Sequence, residues 1–171
     1  NLVRSGLTDL IVSIDGADQD TYSSYRIGGN LDYVIQAVRS IVRAKKSLSS
    51  VKPFINIRML VTRKNEHAIS QVRALAQSIG ADTFSFSPIF INPADQQAAV
   101  EWLPRNPAFS CYENKQGQYQ VENIWNCADL WEQMTINWDG SVLPCCWLHE
   151  AEFDFGNVFT TPIEAVWNNE Y

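Results

Sequence analysis

Residues 54–61 read FINIRMLV, and this stretch decides the fold. Ile55, Ile57, Met59 and Val61 alternate with Asn56, Arg58 and Leu60, the period of two that sends neighbouring side chains to opposite faces of a strand. Working outward, DLIVSI at 9–14 is a second short β-branched run that stops at Asp15-Gly16, and TFSFSPI at 83–89 is a third. Between the runs the period changes. Leu31, Val34, Ile35, Val38, Ile41 and Val42 recur at helical spacing, with Asn30 placed to cap the start and Lys45-Lys46 to complement the dipole at the end. Ile69, Val72, Leu75, Ala76 and Ile79 mark a second helix over 66–79, and Gly80 stands where such a helix stops. The order β-α-β-α-β, with connections long enough for right-handed crossovers, predicts an α/β layer with three parallel strands and helices 31–46 and 66–79 on one face.

Composition sets the outer limits. A chain of 171 residues that is 46% hydrophobic can bury a core and is not disordered by composition. Thirteen basic against 19 acidic residues give a net charge of −6, the wrong sign for a general phosphate-backbone binder, so no nucleic-acid partner is expected. No apolar run approaches the roughly 20 residues needed to cross a bilayer, and no signal-peptide pattern or dense cysteine framework is visible. The chain reads as a soluble cytoplasmic protein without a membrane partner.

The grammar shifts after Pro88. Pro93, Pro104 and Pro107, with the polar tracts ADQQ and ENKQGQ, make 91–126 a connector that permits one short helix around Gln96 to Trp102. The predicted organisation is therefore 1–90, a connector at 91–126, and a tail at 127–171. The tail carries CADLWEQMTINWDGSVLPCC from Cys127 to Cys146, then the loop FDFGNV and a short helix announced by Thr161 and Pro162. Asp139-Gly140 is a two-residue hairpin signal between MTINW and SVLPC. Such a hairpin folds its far ends together, which brings Cys127 towards Cys145. Thiolates gathered that way suit a soft metal or an iron-sulfur cluster. Adjacent Cys145 and Cys146 point to opposite faces of a regular strand, so one of the two is a bystander. Cys111, alone, reads as a small core hydrophobe or an incidental loop residue without a role.

Ligands of open parallel sheets bind beyond the carboxyl ends of the strands. Ser13, Asp15, Gly16, Arg26 and Asn65 sit at or just past those ends. Ser13 and Asp15 either bond a polar cofactor or satisfy the strand-to-loop turn. Arg26 either clamps a carboxylate through its fork or is a solvated charge. Asn65-Glu66 reads as a helix cap, and His67 and His149 as lone histidines, at the surface or supporting a site from behind, not as bases.

VSIDGADQDTYSSYRIGGNLDYVIQAV, then a strand, VTRKNE and IGAD, resembles the later part of the radical S-adenosylmethionine (radical SAM) barrel. The tail resembles the SPASM or twitch auxiliary-cluster extension through Cys127-x12-Gly140-x4-Cys145, the words DGSVLPC and GNV, and IEAVWN. The resemblance implies the later part of a parallel (β/α) partial TIM-type barrel followed by a small hairpin-containing extension. The family's C-x3-C-x2-C loop is absent, so the chain is expected to be a fragment. For the intact enzyme the resemblance implies cleavage of S-adenosylmethionine to a 5'-deoxyadenosyl radical acting on a peptide, protein or small-molecule substrate, with a reductant protein as partner. It implies a 4Fe-4S auxiliary cluster with Cys127 and Cys145 as ligands, Cys146 replacing Cys145 if the strand end is irregular, and S-adenosylmethionine held by Ser13, Asp15 and Arg26. The competing reading is a structural zinc module of Cys127, Cys145, Cys146 and His149 on a noncatalytic α/β domain.

Overall fold

The computed structural model describes residues 2–92, 94–116, 118–121, 132–145 and 151–168. They fall into two compact units, 1–123 and 124–171. The first is built on a three-stranded parallel sheet in the order β1 (Asp9–Ser13), β2 (Phe54–Val61), β3 (Thr83–Pro88). Ser13 lies opposite Arg58, and Leu60 opposite Ser87.

The alternation in FINIRMLV is realised directly, because Ile55, Ile57, Met59 and Val61 are all fully buried. They face α2 (Leu31–Ser47) and α3 (Ile69–Ser78), whose Val38, Val72 and Ala76 complete the core. Burying one such aliphatic side chain stabilises the fold by about 1.5–3 kcal/mol. Asn30 caps α2, accepting from the Tyr33 N–H at 3.0 Å. Gly80, at φ +85°, closes α3, and the Ala81 N–H reaches back to the Ala76 carbonyl at 3.1 Å. The stretch expected as one helix over 66–79 starts with a 3₁₀ turn at Glu66–Ala68 before α3 begins. A short helix, α1 (Gln19–Ser23), is capped by Asp18, which accepts from Thr21 N at 2.8 Å.

Asp82 locks the opposite, amino end of the sheet. Its carboxylate accepts from Ile55 N at 2.7 Å and from Lys45 Nζ at 2.6 Å, tying β2 and the end of α2 to the entry of β3. Burial acts to raise the Asp82 pKa, but the Lys45 ammonium and the Ile55 N–H outweigh it and hold the carboxyl below its ordinary 3.8.

As far as Val121, the described residues of the region read as a connector belong to the first unit. They form α4 (Gln96–Trp102), the helix their composition permits, and a hairpin of β4 (Tyr112–Lys115) and β5 (Gln118–Val121) that polar composition concealed. Ile89, Ala99, Leu103 and Tyr112 make a second small core, against which Tyr25 and Leu60 pack. Cys111 contributes to the same cluster, and burial pushes its thiol pKa up, which disfavours the thiolate. The sheet's second face is less covered: Ile11 and Phe54 are 50% and 46% exposed.

The second unit holds a three-stranded antiparallel sheet in the order β6 (Thr135–Ile136), β7 (Ser141–Leu143), β8 (Gly156–Asn157), followed by α5 (Ile163–Trp167). Pro162 stands just outside α5 as its N-cap residue. Val142, Leu143 and Val166 form the buried centre. Among the described residues no helix is long and apolar enough to cross a membrane.

Candidate functional site

At the carboxyl end of the parallel sheet, β1 runs into Asp15, which is fully buried. One carboxylate oxygen accepts from Leu60 N at 2.6 Å where the β1–β2 pairing ends, and the other from Arg26 Nε at 2.5 Å. A buried carboxylate needs this double satisfaction, because an unpaired one would cost several kcal/mol. Arg26 is itself partly exposed, and its guanidinium lies 5.3 Å from the Tyr25 ring centre. The loop carrying it is pinned by Gln19, which donates to Gly29 O and accepts from Leu31 N, both at 2.9 Å.

Asp15 and Arg26, read separately as cofactor contacts, are thus partners of each other. The Asp15 carboxylate is committed inside the protein. Ser13 lies one strand across from Arg58 on the less covered face, and its hydroxyl has no hydrogen bond among the described residues. Gly16 is a close-approach position: a Cβ there would fall 2.7 Å from Thr21 C and 2.8 Å from Tyr22 Cα.

Asn65 corrects its reading as a helix cap. Its side chain makes no cap bond to the 3₁₀ turn. Instead its amide donates to Asp15 O and Leu60 O, each at 2.9 Å, while its Oδ1 accepts from Thr62 N at 2.7 Å. Three backbone groups from two strand ends converge on one fully buried amide. The sequence signal available for this was VTRKNE, in which a polar residue follows a strand end by four positions. Beside it, Arg63 donates from N to Trp102 O at 2.8 Å and from Nε to Leu103 O at 2.9 Å, which fastens α4 to the same end of the sheet. Trp102 receives the Tyr25 ring edge-on at 5.7 Å and the Lys64 ammonium at 3.9 Å.

The second unit presents the hairpin. Thr135 pairs with Leu143 and Ile136 with Val142, and Asn137 N donates to Ser141 O at 2.9 Å. The connection is therefore the three residues Trp138, Asp139 and Gly140, not the two-residue Asp139-Gly140 turn expected. The reason is local. Asp139 accepts from Ser141 N at 3.1 Å and from the Ser141 hydroxyl at 2.9 Å, while Gly140 takes φ +83° and donates to Asn137 O at 3.0 Å. The Ser141 N–H, then its hydroxyl, hold the Asp139 carboxyl below its ordinary pKa. A Cβ on Gly140 would stand 2.6 Å from Phe159 Cδ2 and 2.7 Å from Asn157 Oδ1. FDFGNV, read as a loop, supplies strand β8 beside β7: Phe155 N donates to Val142 O at 2.7 Å and Val158 N to Gly140 O at 2.9 Å.

Cys145 follows β7 by two residues and is half-buried. Continued at the same register, the ladder would set Cys145 beside Gln133, six positions after Cys127. Six residues span at most about 20 Å, so the hairpin alone does not place the two sulfurs together. Cys127, Cys146 and His149 lie outside the described residues. Among the described residues no group of three or more metal-ligating side chains gathers.

Comparison with known families settles what this unit is. Residues 127–171 match SPASM, an iron-sulfur cluster-binding domain. The chain carries a SPASM domain. The match opens at Cys127 and encloses the Asp139-Gly140 turn and Cys145. Cys145, half-buried two residues after β7, is the one thiol-bearing residue of the match among the described residues. No curated protein and no solved structure matches the chain.

Proposed function

We propose that this chain is part of a radical SAM enzyme whose SPASM domain holds an auxiliary 4Fe-4S cluster with Cys127 and Cys145 among its ligands. The observation that carries the reading is the SPASM match beginning at Cys127. When bound, such a cluster supplies one-electron chemistry that no side chain offers.

The first unit supports the barrel half of the proposal. Its three strands are parallel, β1 and β3 each pair on one side only among the described residues, and one sheet face is only partly covered, as fits part of a larger parallel sheet. Ser13 and Arg26 are the residues proposed to meet S-adenosylmethionine. Asp15 then acts by fixing Arg26, whose Nε it occupies and whose outer nitrogens it leaves for a carboxylate. The substrate is a peptide, a protein or a small molecule, and a reductant protein feeds the electron.

The test is anaerobic reconstitution of the complete enzyme with quantification of iron and sulfide. The pair Cys127→Ala, Cys145→Ala should remove one cluster's worth of iron and leave the remainder. Unchanged iron, or stoichiometric zinc in its place, would refute the assignment.

A further inference from the structure

Among the described residues Asp15 holds Arg26 through one nitrogen, Nε, and the arginine side chain is 38% exposed. A single hydrogen bond fixes a distance but leaves the guanidinium plane free to swing about it. A second contact limits that swing. The guanidinium lies 5.3 Å from the centre of the Tyr25 ring, inside the roughly 6 Å reach of a cation over an aromatic face. Tyr25 in turn packs against the second small core, where its ring meets Trp102 almost perpendicularly, at 79° and 5.7 Å between centres. Trp102 ends α4 and is itself well held. Its carbonyl accepts from Arg63 N at 2.8 Å, the next carbonyl, that of Leu103, accepts from Arg63 Nε at 2.9 Å, and the Lys64 ammonium stands 3.9 Å from the indole centre while pairing with Glu101 at 2.6 Å. Arg63 and Lys64 directly precede Asn65, whose amide donates to the Asp15 carbonyl. The contacts close a ring that runs from Asp15 through Arg26, Tyr25, Trp102 and the loop after β2 back to Asp15.

We propose that Trp102 is a positioning residue for Arg26. By holding Tyr25, it keeps the guanidinium plane in the orientation that leaves the two outer nitrogens side by side for a carboxylate. The inference rests on the proposed role of Arg26 towards the carboxylate of S-adenosylmethionine, and it gives α4, which lies outside the parallel sheet, a share in that site. An aliphatic side chain at position 102 would fill the core but could do neither of the directional things the indole does, since it has no ring for Tyr25 to meet and no π face for Lys64. Simple packing requires only volume there; positioning requires an aromatic ring. The two roles also differ in what their loss removes. Loosened packing weakens every ligand of the unit alike, whereas a misaligned Arg26 weakens only a ligand that presents a carboxylate.

The experiment is a calorimetric titration of the complete enzyme, anaerobically reconstituted, with two probes, S-adenosylmethionine and its decarboxylated analogue. Trp102→Leu should bind S-adenosylmethionine roughly tenfold more weakly, a difference of about 1.4 kcal/mol, and the decarboxylated analogue within about twofold of the unsubstituted enzyme. Trp102→Phe, which keeps a ring against Tyr25, should recover most of the lost affinity. Val72→Ala, a cavity made in the main core, should lower stability without changing the preference between the two probes. In the same samples, amide exchange at Arg26 and Gly29, which donate to Tyr22 O and Arg26 O, should quicken in Trp102→Leu and not in Val72→Ala. Equal weakening of both probes by Trp102→Leu, or the same loss of preference in Val72→Ala, would reduce Trp102 to packing and overturn the proposal, as would a phenylalanine variant no better than the leucine one. An unsubstituted enzyme that does not prefer S-adenosylmethionine to the decarboxylated analogue sinks the role given to Arg26 instead, and exchange then decides. Quickened amides at Arg26 and Gly29 in Trp102→Leu keep the coupling of α4 to Arg26, and unchanged ones overturn it.

Discussion

Asp15 is the residue on which the carboxyl end of the first unit turns, because it is buried as a carboxylate and satisfied by one backbone N–H and one guanidinium. Removing either partner leaves an under-satisfied buried charge. Arg26→Ala should therefore lower stability by about 2 kcal/mol, the scale of a charge-assisted hydrogen bond, in addition to weakening S-adenosylmethionine binding in the complete enzyme. Denaturant unfolding and calorimetric titration separate the two effects. Lost stability with unchanged cosubstrate affinity would make Arg26 purely structural. Asp82 gives a pH-dependent prediction. Its folded pKa lies below the ordinary 3.8, so its contribution is fully present above the unfolded value and is lost as pH falls through the folded one. Acid unfolding monitored below pH about 4 should be less steep in Asp82→Asn, which is less stable at neutral pH and has no carboxylate there to protonate.

At the scale of elements, the hairpin of the SPASM domain depends on Gly140. A side chain there meets both a left-handed backbone and the Phe159 ring. Gly140→Ala should cost about 1–3 kcal/mol, from the positive φ and from overpacking. Its signature should be lost hydrogen-exchange protection at Val158 and Phe155, whose amides bond to Gly140 and Val142 across β7 and β8. Unaltered protection would mean that the turn tolerates a Cβ by shifting Phe159. The long elements were legible because their periods are long: four buried positions in β2 and the capped heptad-like spacing of α2 leave one consistent reading. Strands β4, β5 and β8 were not, since they span two to four residues and carry little alternation. They exist through pairing with neighbours, and pairing is not a local property.

For the whole molecule, two units imply two responses to metal. On the proposed function, chelating the iron should loosen 124–171 while β2 keeps its protection, because a cluster held by Cys127 and Cys145 would couple to the folding of their own unit. Exchange mass spectrometry with and without chelator checks this, and uniform loss across both units would show a single cooperative body. By itself the sequence determined the α/β order of the first unit, the helix boundaries marked by Asn30 and Gly80 and the cysteine-bearing hairpin, because these are written in periodicity, capping and composition. Only the tertiary structure decided that Asp15 spends its carboxylate on Arg26 and Leu60, that Asn65 ties two strand ends instead of capping a helix, and that Asp82 joins three elements. Each joins residues the local pattern does not pair, from positions 11 to 50 apart in the polar contacts of Asp15 with Arg26 and of Asn65 with Asp15. The partner of a polar side chain is set by where the backbone brings its donors and acceptors, and only the folded chain contains that information.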